Sequence, residues 1–528
     1  MSLVLLLGVT VLPLVFLKTY IIPYLRSPLK SLPGPFFAKF TNLWRLFSHY
    51  KQTHIETQQA LHDKYGDAVR IGPNVVSIAD PALVKTIYST RGTFIKSEYY
   101  SVNDALQDGH LIPNIFSTRS NVYHARALKP MAKLYSFSSA LELEPSMDVT
   151  LRTLFSQLET RFMDGANAGK TCDISEWFSF FTWDFLADVT FSERMGFLER
   201  GEDVGDMIET GEKVMRYFSV VGQIPTLDKL LGKNPHLPYK FADFSVTAGF
   251  CTQRFLERVQ LPDEEKQTKK DFMASFMQAK REYPELVGDD EIIGILILNV
   301  LGGADTSSII LKAVLYHMLR NPLYHHTLVA ELRASLPSPS PRTTPSPSPS
   351  SSSSSHHYPL PLSHAQTSTL PYLQACILET LRFHPVLGHV LERVVPSSGL
   401  TLSSGVVLPP GTIVGVNPWV MSRSTLVYGP DASTFRPGRW LRDEGVGETE
   451  EAHGERVARM KSADLAWGGG NRVCLGRPLA MVQVAKVVAS LFAYYDLALE
   501  DPTQEWHLHK QWLVLPHKIR IKIARAPM

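Results

Sequence analysis

The sequence predicts a mainly α-helical protein with a small β region, preceded by one N-terminal transmembrane helix. Three observations carry this: an uncharged apolar run at the N-terminus, two short strand patterns soon after it, and long helical patterns over about residues 121–336. No residue of 2–17 is charged, and the apolar character resumes after Lys18 through Ile21, Ile22 and Leu25, just long enough to span a bilayer. The competing reading is a cleaved signal peptide, which wants small residues at its cleavage site. No Ala precedes Ala38 and the flank is basic. Lys18, Arg26, Lys30, Lys39, Arg45 and Lys51 follow with no acid among them, so the positive-inside bias places the rest of the chain in the cytosol. An anchor over 2–25 and a basic, proline-rich hinge over 26–35 are expected, the hinge stiffened by Leu32-Pro33-Gly34-Pro35.

After the hinge, 68–71 and 75–78 read as strands flanking Gly72-Pro73-Asn74 in a hairpin, and Asp80-Pro81 as the cap of a helix. Residues 337–361 are rich in Pro and Ser, bury no apolar surface, and are expected to be a disordered insertion in a catalytic domain spanning 36–528. The pair His356-His357 within it reads as part of a solvated loop rather than a metal site. Hydrophobic residues are 44% and charged ones 20%, below the usual about 25%, which excludes global disorder. With 53 basic and 51 acidic residues the surface is too evenly charged for non-specific nucleic-acid binding. Cys172, Cys251, Cys376 and Cys474 are too few and too dispersed for a disulfide framework or a paired-cysteine zinc site, in keeping with a reducing compartment.

A cysteine that matters must therefore act alone, and Cys474 has the most informative surroundings. It follows Trp467-Gly468-Gly469-Gly470-Asn471-Arg472-Val473 and precedes Leu475-Gly476, after which a helical pattern starts. Glycine loops before helices bind phosphate. Here a Rossmann fingerprint would need glycine where Val473 stands, and a P-loop would need a Lys-Ser/Thr pair that is missing. Two readings remain: a buried inert thiol, or a thiolate at the positive end of a helix able to ligate a metal, with the Gly476 amide free to approach the sulfur. Gly470, Arg472, Cys474 and Gly476 at this spacing arise by chance with a probability on the order of one in a thousand.

The segment resembles the haem-binding loop of the cytochrome P-450 superfamily, with Trp467 in place of the usual Phe. The resemblance makes Cys474 the axial ligand of haem b and Gly468, Gly470, Arg472 and Gly476 the loop that holds the cofactor. Residues 289–320 read as one helix about 48 Å long, stopped at Asn321-Pro322, whose composition is taken to forbid a second membrane span. Asp305 shares a face with Leu298, Leu301, Gly302 and Ile309, an odd place for an acid unless it is used, and Gly302-Gly303 implies close packing or a bulge. Gly302-Gly303-Ala304-Asp305-Thr306 resembles the family's oxygen-activation motif, in which Asp305 and Thr306 manage protons.

Glu379 and Arg382 lie three apart on one helical face with Ala375, Cys376 and Phe383, so the pair is expected to be buried and to need further hydrogen bonds. The resemblance adds Arg439, from Phe435-Arg436-Pro437-Gly438-Arg439-Trp440, as third member of a structural triad holding the cysteine loop. Gly438 replaces the common Glu. Arg393 and Arg472 match basic residues that contact haem propionates, and His124 is a further candidate. The family's Arg four residues after His124 is Leu128 here, which leaves Arg126 or Lys129 as substitutes.

The resemblance covers about residues 33–523. It implies a single-pass monooxygenase of the endoplasmic reticulum membrane with a cytosolic catalytic domain, taking electrons from an NADPH-cytochrome reductase and using O2 on a small apolar substrate. Residues 101–117 and 386–391 are expected to line the substrate entrance. The overall look is similar to fungal microsomal members such as the pisatin demethylase and benzoate hydroxylase groups, many of which serve secondary-metabolite biosynthesis. Two rivals are a haem-thiolate isomerase or dehydratase, against which Asp305-Thr306 argues, and a non-catalytic haem sensor.

Overall fold

A computed structural model describes residues 14–15, 17–107, 110–239, 241–336 and 360–527. Its described part is mainly helical with several small sheets, as the helical periodicities predict. Four helices position the candidate site: α1 (Ile174–Phe191), α2 (Asp289–Leu319), α3 (Pro371–Phe383) and α4 (Arg477–Tyr494).

Helix α1 buries almost all of its residues, Glu176 and Asp188 excepted, and lies in the main core, with Phe181, Trp183 and Phe185 fully buried. Helix α2 starts with Asp289, Asp290 and Glu291, whose charges suit the positive end of the helix dipole, and Glu291 Oε2 accepts a hydrogen bond from the Gly288 amide at 3.0 Å. It ends where Asn321-Pro322 opens the next helix, as expected. The glycine pair within it is divided in use. A Cβ on Gly303 would lie 2.9 Å from Leu186 Cδ1, so this glycine lets α1 approach, whereas a Cβ on Gly302 would meet nothing. One sequence inference needs correction: α2 is long and apolar enough to cross a membrane by composition, so composition does not exclude a span. Its packing does, because buried positions recur along α2 and place it in the main core with α1.

The predicted hairpin forms, pairing Ala68–Gly72 with Val75–Ile78. Asp80 Oδ1 caps the following turn by accepting from the Ala82 amide at 2.9 Å. Distant segments widen the sheet: Ile413–Gly415 runs parallel to Val75–Ile78, Arg393–Val394 pairs with Ile413–Gly415, and Ile95–Lys96 closes the far edge with Lys96 opposite Arg393. A C-terminal hairpin joins His507–Lys510 to Val514–His517.

The proline-rich turn is docked on this sheet. Pro33 O accepts from the Arg70 amide at 2.8 Å, and a Cβ on Gly34 would stand 2.1 Å from Arg70 O, so only glycine fits. Leu29 and Leu32 are buried beside it. Before it, the described residues form short helical segments, Leu17–Ile21 and Ile22–Arg26, with Leu14, Val15 and Leu25 exposed. Most of the expected anchor, residues 2–13 and 16, lies outside the described residues, as does 337–359 of the expected insertion. The chain is back on the core by Leu362, whose amide donates to Ser490 Oγ and whose carbonyl accepts from Lys486 Nζ, both on α4.

Candidate active site

The cysteine loop folds because two glycines adopt backbone angles that side chains resist. Gly468 and Gly470 have φ of +72° and +63°, and a Cβ on Gly470 would stand 2.4 Å from Tyr88 O. The Cys474 amide donates to Trp467 O at 2.9 Å and closes the loop. Cys474 is the exposed one of the four cysteines; the other three are buried. Burial nevertheless raises its thiol pKa, opposed by hydrogen bonds from the Gly476 and Arg477 amides and by the Arg477 charge. A sulfur that solvent can touch while protein surrounds it lies on the wall of an internal cleft. The free approach expected at Gly476 is present: a Cβ there would sit 3.9 Å from Cys474 Sγ. Helix α4 starts one residue later with Pro478 in its first turn, so the sulfur faces a helix N-terminus as expected.

Helix α2 comes near the sulfur through one intermediary. Cys474 acts electrostatically on Tyr135, whose phenol donates to Asn299 Oδ1 on α2. One and two turns further along that helical face come Gly302 and Thr306. Gly302 is exposed in the middle of a core helix, and Thr306 Oγ1 donates to its carbonyl at 2.8 Å. Asp305 points elsewhere. Its Oδ1 accepts from Trp183 Nε1 on α1 at 2.9 Å, and its Oδ2 faces Gly211, where a Cβ would be 3.6 Å away. Burial pushes its carboxyl up to about 6, partly offset by the Trp183 hydrogen bond and the Lys312 charge. Trp183 carried no sequence signal, because only tertiary packing brings α1 to α2.

Four basic side chains gather from separate elements: Lys96 and Arg393 from paired strands, Arg472 from the cysteine loop, and His124, a neutral imidazole, from a short helix. Their hydrogen bonds go to neutral groups: Lys96 Nζ to Phe116 O at 2.5 Å, Arg393 Nη1 to Glu392 O at 2.8 Å, and Arg472 Nη2 to Asn121 Oδ1 at 2.8 Å. Among the described residues none pairs with a carboxylate. Burial, then the charges of Arg393 and Arg472, holds Lys96 well below its ordinary range. Burial and Arg393 push Arg472 down to about 10, and burial, Arg472 and Lys96 push His124 down to about 4. Like charges directly opposite in a sheet repel, as Lys96 and Arg393 do here, and the arrangement makes sense when an anion lies among them.

Lys96 is the member that sequence reasoning missed, because its strand, Ile95–Lys96, is too short to leave a pattern in the sequence. Neither substitute considered for Leu128 touches the cluster of Lys96, Arg393 and Arg472. Arg126 donates to Glu285 O at 3.0 Å on the exterior, and Lys129 is exposed.

Glu379, Arg382 and Arg439 do come together, and the expected extra hydrogen bonds are present. Arg382 makes a bidentate pair with Glu379 at 2.7 and 2.8 Å, and the carboxylate also accepts from the Arg436 amide at 2.7 Å and from Trp440 Nε1 at 3.0 Å. Arg439 leans on Asp431 at 2.7 Å, with Glu379 farther off at 3.5 Å. Asp431 thus supplies the acid that Gly438 lacks.

At the expected entrance, Val386, His389, Val390 and Leu391 are buried. His389 packs against Trp512, which stacks on Tyr99 at 4.8 Å. Trp512, from the C-terminal hairpin, was not foreseen.

The residues present suit an iron porphyrin. A thiol backed by two amides, an exposed stretch of α2 near it, and buried cations without counter-anions match an axial ligand, a flat ring and its two propionates. The sequence profile of the family described as Cytochrome P-450 matches residues 33–524. The chain is 34% identical to "Cytochrome P-450 monooxygenase cfoH" of Aspergillus candidus, over 96% of this chain and 90% of that protein. It is 33% identical to "Cytochrome P-450 monooxygenase cicH" of Emericella nidulans, over 94% of each chain. A protein of the same type from Sarocladium schorii, asR2, is 32% identical over 94% of this chain and 92% of its own. Family match and site geometry agree on the same cofactor chemistry, and the chain belongs to the cytochrome P-450 family, the haem-thiolate monooxygenases.

Proposed function

We propose that this chain is a membrane-anchored monooxygenase that hydroxylates or otherwise oxidises a small apolar substrate in fungal secondary-metabolite biosynthesis. It works with O2 and with electrons passed from NADPH by a cytochrome reductase. The anchor is residues 2–25, the hinge 26–35 and the catalytic domain 36–528 with its insertion at 337–361, held at the endoplasmic reticulum membrane facing the cytosol. The observation that carries the reading is the pairing of Cys474 Sγ, backed by the Gly476 and Arg477 amides, with a cluster of buried cations that has no anion of its own.

When bound, haem supplies the reductive activation of dioxygen that no side chain can perform. Cys474 holds the iron through its sulfur, and the loop glycines at 468, 470 and 476 keep backbone close to it. Arg393, Arg472, His124 and Lys96 hold the propionates, with charge-assisted hydrogen bonds from those that carry a proton. Thr306 Oγ1 is anchored on Gly302 O and presents its oxygen to the cleft for relaying protons. Asp305, its carboxyl pushed up to about 6 on the Trp183 side of the helix, is the acid that feeds that relay once its side chain turns toward Thr306. Glu379, Arg382 and Arg439 act structurally, keeping the cysteine loop in shape.

The test is the carbon monoxide difference spectrum of the reduced protein. Wild type gives the red-shifted band that a thiolate ligand produces, and Cys474→Ala loses it. A variant that keeps the band would remove Cys474 from the site.

A further inference from the structure

Among the described residues outside the haem site, one cluster has the composition and spacing of a metal centre. Glu212 belongs to the helix Met207–Val221; His509 and His517 come from the two strands of the C-terminal hairpin. Strand register puts His509 and His517 diagonally across the hairpin on one face, their rings 4.4 Å apart. The carboxylate reaches both. Glu212 Oε2 is 3.5 Å from His509 Nδ1 and Glu212 Oε1 is 3.3 Å from His517 Nε2. One ligand atom from each residue fits within a mutual distance of 4.8 Å. Bonds of about 2.0–2.1 Å around a tetrahedral zinc set its ligand atoms about 3.3 Å apart, so small side-chain adjustments close the site.

The two facing nitrogens, His509 Nδ1 and His517 Nε2, are buried and have no partner besides their loose approach to Glu212. Buried polar atoms are normally satisfied, so two unsatisfied nitrogens facing one carboxylate point to a ligand between them. The nearby cation Lys312 does not fill that role, because its Nζ donates to Ser179 Oγ at 2.9 Å. Two nitrogens and one carboxylate disfavour magnesium and calcium, which take oxygen sets, and suit zinc with water in the fourth position.

We propose that Glu212, His509 and His517 form a zinc site that fastens the helix Met207–Val221 to the C-terminal hairpin. The two elements already meet through Phe218 and Trp512, whose rings are 6.0 Å apart, so the ion adds a second tie beside an existing apolar one. The site stands on residues separate from those assigned to haem, and its failure would leave the monooxygenase reading untouched.

The test uses the full-length, haem-loaded protein, so that Cys474 is not free to take zinc. Zinc retained against a buffered micromolar supply is counted by elemental analysis, and the bound ion's X-ray absorption fine structure is recorded. The expected result is one zinc per chain with two imidazoles and a carboxylate oxygen in its shell, and no comparable retention of magnesium. His509→Ala, His517→Ala and Glu212→Gln each weaken binding by more than the about 10- to 100-fold typical of losing an outer partner. Changing His356 and His357 together to Ala leaves it intact. Absence of binding, a shell with one imidazole or with sulfur, or sensitivity to the His356-His357 change instead would overturn the site. The wild-type spectrum decides the matter even where a variant fails to fold.

Discussion

Among the buried charges of this protein, the groups around Glu379 and around Lys96 are finished differently. Around Glu379 every carboxylate oxygen and both arginines find partners inside the chain: a bidentate pair, an indole, an amide and a set of carbonyls. Around Lys96 the cations touch only neutral groups and one another's fields. Breaking a buried, satisfied pair leaves a charge with nowhere to go, whereas an unsatisfied cluster of one sign is a cost that a bound anion removes. The first group is therefore part of the fold, and the second is the one we propose receives the propionates. Asp305 stands between them, a buried acid with one indole for a partner.

The sharpest way to break the comparison is Glu379→Ala. It strands Arg382, and loss of one partner of a buried pair costs about 3–5 kcal/mol, so urea unfolding should shift by that amount or the protein should fail to incorporate haem at all. Stability within about 1 kcal/mol of wild type would mean the cluster is not a structural unit.

Next in size is Asp305→Asn. The folded carboxyl is raised to about 6 from an ordinary 3.8. A raised acid contributes no penalty at low pH and loses stability as pH climbs from about 4 to 6. Asparagine removes that loss while keeping an acceptor for Trp183. The variant should be more stable than wild type by about 3 kcal/mol at pH 7, the gap closing below about pH 4, while product formed per NADPH falls. Thermal unfolding across pH measures the first effect and coupled turnover the second. A gap that does not depend on pH would show that Asp305 is not a titrating buried acid.

Lys96→Met sharpens the contrast itself. It removes a repelled buried cation, so apoprotein should gain about 1 kcal/mol, and it removes one charge-assisted contact to a propionate, so haem dissociation should quicken about tenfold. Apoprotein denaturation and haem transfer to apomyoglobin report the two halves. Opposite signs in the two assays are the signature of a ligand-receptor cluster; a loss in both would make Lys96 structural.

The smallest effect belongs to Gly438→Glu. A Cβ there meets no atom within 4 Å, and Asp431 already serves Arg439, so the expected change is a gain of about 0.5 kcal/mol from the lost glycine freedom. A larger gain in urea unfolding would mean that Asp431 leaves Arg439 short of a partner.

What was legible from the chain alone was what neighbours in sequence determine. The cysteine loop is a run of backbone angles and one helix start, so Gly468, Gly470, Cys474 and Gly476 announce it by spacing. The bounds of α2 come from three acids and a proline, and the pairing of Glu379 with Arg382 from one helical turn. Tertiary structure decided the partners that no local period encodes. Lys96 meets Arg393 only through the order of strands in a sheet assembled from remote segments. Trp183 meets Asp305 only because Gly303 lets two core helices close. Glu212 meets His509 and His517 only where a helix crosses a C-terminal hairpin. Sequence carries torsional preference and periodicity within a few residues, while contact between distant elements depends on how whole faces pack. The cofactor's ligand could therefore be read directly, and the charges and acids around it had to be found in space.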